Sequence, residues 1–368
     1  MPDLLTNSLI LRGLYFAALA KAFLRHKNPR RKQANRALTA FHEQMWRDAA
    51  KELGASFTAL SDGFYEIELD GRRTRTFERI AAIDNSVALE IAGNKPLTYR
   101  LLAENSLPTP RNAGFAYKEM GTAIAFLNAV EGDCVVKPAS GTGGGRGVTT
   151  GIRTPWQLIK AAAAAAVYGD DLLIEEHMEG ENYRLLYLDG QLLDAFVRRP
   201  PTLIADGRST IGQSVQRCNA NRLKQGSELS QVLLTVDLDM KRTLAKQGLT
   251  FRSVPAEGTV VKIKTVINEN CAEDNEAAAE LLCDEIIEAG AKAARALQVR
   301  LAGVDIITRD PSLPLSENGG AILEVNTTPN YYYHYRKRGG SCPVAVHVLR
   351  RLLTDDAAAD AEFSQGQI

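Results

Sequence analysis

Residues 135–148 read VVKPASGTGGGRGV, an apolar run closed by a lysine and a proline, and five of the eight residues at 140–147 are glycine. Glycine loses the most backbone freedom on ordering, so a run this dense weakens any helix or strand and implies a backbone that must come close to something. Lys137 stands at the end of the apolar run, just before the loop. A cation at a strand end, beside free backbone N–H groups, suits a polyphosphate lying across a sheet. The GxxxxGK[ST] phosphate loop is absent, because no Lys-Ser or Lys-Thr follows the glycines, and GxGxxG fails because Arg146 occupies its last place. A plain surface loop is the rival reading of this stretch taken alone.

The chain has 368 residues, enough for two or three domains, and its 45% hydrophobic content supplies a full core. Lys+Arg and Asp+Glu both total 44, so net charge gives no push toward nucleic acid or an anionic membrane, and neither is expected as a partner. The five cysteines form no CxxC pair, which reads as a reduced, cytoplasmic protein without a disulfide frame or zinc site. Arg12 interrupts the apolar N-terminal stretch, and no basic segment or cleavage site frames it, so an amphipathic helix is expected there. The basic stretch at 21–36 reads as a solvated helix end and turn, with a polyanion-binding or membrane-surface patch as the sharper alternative.

Helical spacing covers 41–55, and a β-meander follows with turns at Asp62-Gly63 and Asp70-Gly71. A helix is expected from near Lys95, another over 122–130, and a buried strand at 133–138. Thr154, Pro155 and Gly169 suit the N-cap, first position and stop of a helix. Three strands should follow, the last two turning at Asp189-Gly190. Residues 203–245 read as short helices and 273–299 as one long helix. Strands are expected around 301–310 and 319–330, and a helix closes the pattern.

In "AILEVNTTPN", Glu324 and Asn326 lie two apart and so share one face of a strand. Asp305 sits among apolar residues on the neighbouring predicted strand, where an isolated charge is costly unless paired or metal-bound. Three oxygen-bearing side chains converging there match a Mg2+ site completed by phosphates and water. The alternative is a carboxylate salt-bridged to a nearby arginine. In "LLIEEHMEGEN" an apolar strand runs into Glu175, Glu176, His177 and Met178 before a turn at Gly180. An extended backbone there could offer a carbonyl and an N–H to an adenine edge.

Taken in order, "GNKPLTYRLL", "VVKP" with the glycine loop, "IEEHMEGENYR", "GVDI" and "LEVNTTP" resemble the ATP-grasp ligases, over roughly residues 88–335. Within that superfamily, "YRLLYLDGQLLDAFVRRPPTLIADGRSTI" is similar to the ATP-grasp domain of cyanophycin synthetase, although the chain is too short for that enzyme's Mur-ligase-like half. The resemblance implies an α+β, ATP-grasp fold: two α+β subdomains gripping ATP between them, preceded by a smaller N-terminal α/β domain. The expected boundaries are 1–92, 93–180 with the glycine loop, 181–355 with the metal-binding strands, and a tail at 356–368.

By the same resemblance Lys95 and Lys137 hold ATP phosphates, and the backbone of Ser140, Gly141, Thr142, Gly143, Gly144, Gly145 and Gly147 closes over them. Glu175 accepts from the adenine amino group, Glu176 and Met178 supply backbone hydrogen bonds, and Asn182 meets the ribose where the family usually has a carboxylate. Arg184 and Arg198, with Lys137, face the reacting phosphates, while Asp305, Glu324 and Asn326 bind two Mg2+ ions, with Mn2+ as a substitute. The implied activity is ATP-dependent carboxylate–amine ligation through an acyl phosphate, on an amino acid or peptide. A small-molecule kinase and a non-catalytic nucleotide-binding protein are the alternatives, and a homodimer is the assembly common among such enzymes.

Overall fold

A computed structural model describes residues 8–26, 29–142, 145–224 and 233–354. Two long helices, α1 (Ser8–His26) and α2 (Pro29–Glu52), lead into an antiparallel meander of β1 (Ser56–Ser61), β2 (Phe64–Leu69), β3 (Arg72–Phe77) and β4 (Ile80–Ala81). Helices α3 (Ser86–Gly93) and α4 (Lys95–Glu104) follow. The next sheet has the order β5–β8–β6–β7, from β5 (Asn112–Ala116), β6 (Cys134–Pro138), β7 (Thr149–Ile152) and β8 (Asp171–Glu176), and helices α5 (Gly121–Ala129) and α6 (Pro155–Ala165) accompany it.

The second large sheet has the order β13–β10–β9–β14–β15. Its strands are β9 (Glu181–Leu188), β10 (Gln191–Arg198), β13 (Asn275–Ala277), β14 (Leu301–Thr308) and β15 (Ala321–Asn326). Between β10 and β13 the chain makes a small lobe with its own core: the ribbon β11 (Thr202–Ile204) and β12 (Val260–Lys262), with helices α7 (Ile211–Lys224) and α8 (Leu238–Lys246). Helix α9 (Asp284–Ala296) covers the five-stranded sheet, and α10 (Val344–Leu353) closes the described chain.

Local chemistry explains much of this. In two hairpin turns both central residues take positive φ, Asp70 at 49° with Gly71 at 80°, and Asp189 at 49° with Gly190 at 82°, the conformation that Asp-Gly favours. Helix α6 opens with a capping box in which Thr154 and Gln157 satisfy each other's backbone N–H groups, and Pro155 takes the first position.

The expectation of one helix over 273–299 is corrected. Residues Asn275–Ala277 extend and pair with β10, setting Ala277 opposite Phe196, and the helix begins only at Asp284. Asn275 decides this: its amide nitrogen donates to the Cys271 carbonyl at 2.7 Å, and its oxygen accepts from Asn270 at 3.0 Å. These tertiary contacts override the helical preference of the alanine-rich segment.

The N-terminal segment shares its cores with the rest of the chain. Leu11 on α1 is buried with Leu158 and Ile159 of α6. Met45 and Trp46 on α2 and Tyr65 and Ile67 on β2 are buried with Leu186 and Leu301 of the five-stranded sheet and Val344, Val348 and Leu349 of α10. Among the described residues no helix is long and apolar enough to cross a membrane. The basic stretch at 21–36 lies largely outside the residues whose side chains are described.

Candidate active site

A cavity of about 750 Å³ is lined from both large sheets, the small lobe and the start of α4. This size suits a small-molecule or cofactor site. Lys95, Lys137, Thr142, Gly145, Glu175, Glu176, Met178, Asn182, Arg198, Asp305 and Glu324 all line it. Ser140, Gly141, Gly147, Arg184 and Asn326 are not among its lining residues. Gly143 and Gly144 lie outside the described residues.

Strand register assembles the first cluster. Val135 on β6 faces Glu175 on β8, so Lys137, two residues along, is the diagonal neighbour of Glu175 on the same face. Lys137 Nζ lies 2.7 Å from Glu175 Oε2 and donates to the Tyr99 hydroxyl oxygen at 2.9 Å. That hydroxyl lies 2.8 Å from Glu175 Oε2 and 2.9 Å from the Leu323 carbonyl oxygen. Burial, reinforced by the Glu175 charge, holds the Tyr99 hydroxyl well above its ordinary pKa, so it stays protonated. Burial lowers the pKa of Lys95, with Glu324 opposing and Lys137 assisting. Glu175 lines the cavity, and its Oε2 meets both Lys137 and Tyr99.

At the strand end, the Glu176 N–H donates to the Arg111 carbonyl at 3.0 Å, and its carboxylate accepts from the Arg111 N–H at 2.9 Å. The Glu176 N–H is thus taken and is not open to a ligand. The Met178 N–H makes no hydrogen bond to a described residue and remains open to one. Asn182 Oδ1 is buried at the cavity wall without a partner among the described residues, an acceptor that a ligand hydroxyl could satisfy.

The second cluster is electrostatic. Asp305 on β14 faces Arg184 on β9 and Glu324 on β15. Arg184 holds Asp305 through both Nε and Nη2, the latter at 2.8 Å, and Arg198 Nη1 adds a contact at 3.2 Å. Burial opposes the charge on Asp305, but the two guanidinium groups prevail and hold its pKa below the carboxylate range. Asp305 is thus ion-paired, the alternative left open by the sequence. The Glu324 carboxylate makes no hydrogen bond or ion pair with a described residue. Asn326 Nδ2 donates to the Gly303 carbonyl at 3.3 Å. An uncommitted carboxylate facing a second one, with a carboxamide two residues along, is an all-oxygen donor set that fits Mg2+.

Sequence reasoning missed Tyr99 and Asn268. Tyr99 had a signal, since it lies one helical turn after Lys95 on α4. Asn268 had none: its Oδ1 accepts from Arg198 Nη2 at 2.8 Å across 70 residues of sequence. The aromatic-basic cluster after Asn330 turns inward: Tyr331 and Tyr332 are buried, while His334 Nδ1 and Lys337 Nζ lie 2.7 and 2.9 Å from Asp194 Oδ2.

The two sheets with a nucleotide-sized cavity between them define the ATP-grasp fold, and by fold the chain is an ATP-grasp protein. It is similar to the cyanophycin synthetase of Trichormus variabilis, at 30% identity over 259 residues, which are 67% of this chain and 27% of that protein. It is also similar to the glutathione biosynthesis bifunctional protein of Streptococcus thermophilus, at 30% identity over 283 residues, covering 75% of this chain and 37% of that protein. The chain therefore spans only about a quarter to two-fifths of the length of these relatives. Among solved structures, a bifunctional glutathione synthetase from Pasteurella multocida superimposes with a TM-score of 0.55 and 20% identity, over 84% of this chain and 43% of that one. No family model matches the sequence.

Proposed function

We propose that the chain is an ATP-dependent carboxylate–amine ligase acting on an amino acid or a peptide. The observation that carries this reading is the cavity lining: Lys95, Lys137, Gly145, the 175–182 strand end, Arg198 and Glu324 come from distant parts of the sequence to one wall-to-wall site. In the proposed reaction a substrate carboxylate oxygen attacks the γ-phosphorus of ATP and ADP leaves. The amine of a second substrate then attacks the acyl carbon and expels phosphate. No enzyme nucleophile is required, so the work is positioning and charge stabilisation.

Lys137, held by Glu175 and Tyr99, presents a fixed cation to the phosphates, and Lys95 adds a second. Met178 N–H and the Glu176 carbonyl face an adenine edge, and Asn182 Oδ1 a ribose hydroxyl. Glu324 and Asp305, with Asn326, would hold Mg2+, which supplies Lewis-acid stabilisation of the transferred phosphoryl group. Arg198 stabilises developing charge, and Arg184 acts through Asp305. Two ions rather than one, Mn2+ as a substitute, and a homodimer are finer parts of the same proposal. So are the boundaries at 92, 180 and 355, and a reducing, cytoplasmic setting consistent with five free cysteines.

Phosphate release screened over pairs of amino acids and dipeptides, with mass detection of the product, tests this. Release that needs both a carboxylate and an amine, with a condensed product, supports the ligase. A phosphorylated product formed without amine would make the chain a kinase.

A further inference from the structure

The segment at 264–269 belongs to the small lobe and reaches into the cavity between the two large sheets. It is fastened from behind. Lys264 is fully buried, with its Nζ 2.6 Å from Asp237 and 2.9 Å from Glu269. Asp239, also buried, accepts from the backbone N–H groups of Thr265 at 3.0 Å and Val266 at 3.2 Å. Arg222 donates to the Glu269 carbonyl at 2.9 Å. So braced a backbone can hold one side chain in a fixed place.

That side chain is Asn268. Its Oδ1 accepts from Arg198 Nη2 at 2.8 Å, while Arg198 Nη1 contacts Asp305. Its other end meets the glycine loop: a Cβ on Gly145 would collide with Asn268 Nδ2 and lie 2.9 Å from Val266 Cγ1. Gly145 also has φ +67°, so both its conformation and its neighbour require glycine there. One carboxamide thus spans the phosphate loop on one side and the Arg198–Asp305 centre on the other. The carboxamide oxygen serves the guanidinium, and the Nδ2 end packs against Gly145 in the space a Cβ would need.

We infer that Asn268 is a positioning residue that sets Arg198 and Gly145 in register around the phosphates. The inference rests on the ligase reading above and adds a residue to it. Asp305 engages one terminal nitrogen of Arg198 and Asn268 the other, so together they fix the plane of the guanidinium.

The test uses the full chain with Mg2+ and a non-hydrolysable ATP analogue, reading affinity by calorimetry and trypsin cleavage after Arg146 in the loop. In the wild type, bound nucleotide should slow that cleavage. In Asn268→Ala, at saturating nucleotide, the protection should fall by on the order of tenfold, the scale of one lost hydrogen bond to a charged group. Affinity should change much less. Asn268→Asp keeps the shape and the acceptor for Arg198 but sets a carboxylate oxygen against Gly145, so it should stay folded and lose protection as well. A merely structural asparagine would lower affinity and protection together, or neither. Full protection in both variants overturns the inference and leaves the ligase reading standing. A wild-type chain that binds no Mg–nucleotide overturns both.

Discussion

Lys137 and Glu175 form a 2.7 Å ion pair in which each side chain is only 8% exposed. Removing one partner of such a pair leaves an uncompensated buried charge, which costs about 3–5 kcal/mol. Glu175→Gln should therefore lower unfolding stability by roughly that amount, read from a urea transition. Lys137→Ala should weaken ATP binding by about 2–4 kcal/mol and adenosine binding far less. Equal losses for the two ligands would assign the lysine to the base or the fold. The double variant should cost less than the sum of the singles, because the two residues share one interaction.

Glu324 and Asp305 face each other across two strands but should respond differently to neutralisation. Glu324→Gln removes a carboxylate with no hydrogen-bond or ion-pair partner among the described residues, so the melting temperature should hold while ligation is lost at millimolar Mg2+. Asp305→Asn leaves Arg184 and Arg198 without their counter-charge, and should lose both activity and about 3 kcal/mol of stability. A melting temperature unchanged in Asp305→Asn would show that the arginines do not depend on it.

His42 supplies a pH prediction. It is fully buried on α2, neither ring nitrogen has a hydrogen-bond partner among the described residues, and burial, with Arg79 nearby, lowers its pKa to about 4. The folded state therefore resists protonation, while the unfolded chain takes up a proton near pH 6.5. The stability is complete above 6.5 and drains as pH falls toward 4, by roughly 3 kcal/mol in all. In His42→Leu the unfolding free energy should lose this slope between pH 6.5 and 4. An unchanged slope would locate the acid sensitivity elsewhere.

Gly180 sits in the turn between β8 and β9 at φ +139°, and a Cβ there would run into the Thr308 carbonyl group. Backbone cannot rotate aside as a side chain can. Gly180→Ala should displace this turn, lower stability by about 1–3 kcal/mol and weaken adenosine binding through Met178. Chemical denaturation and calorimetry read the two effects. Wild-type values for both would mean that the turn adapts.

What could be read in advance was what the local chain decides. The Asp-Gly turns and the Thr154 cap need only neighbouring residues, and they appear as expected. The face shared by Glu324 and Asn326 follows from strand alternation. The partners of Asp305 could not be read, because Arg184 lies 121 residues away and only the register of β9 against β14 joins them. For the same reason the contacts of Glu175 could not be read, since its lysine and tyrosine come from other elements. The expected helix at 273–299 failed where an edge strand had a use for residues 275–277 that composition did not reveal.

The core that joins α2 and the β1–β4 meander to α10 sets an order of events during synthesis. Trp46 and Ile67 leave the ribosome early, yet Val344, Val348 and Leu349, which cover the same core, emerge almost 300 residues later. At about 5–20 residues per second that interval lasts on the order of tens of seconds, during which a sticky surface stands open to chaperones and to other chains. Part of this chain that is made first is thus among the last to become native.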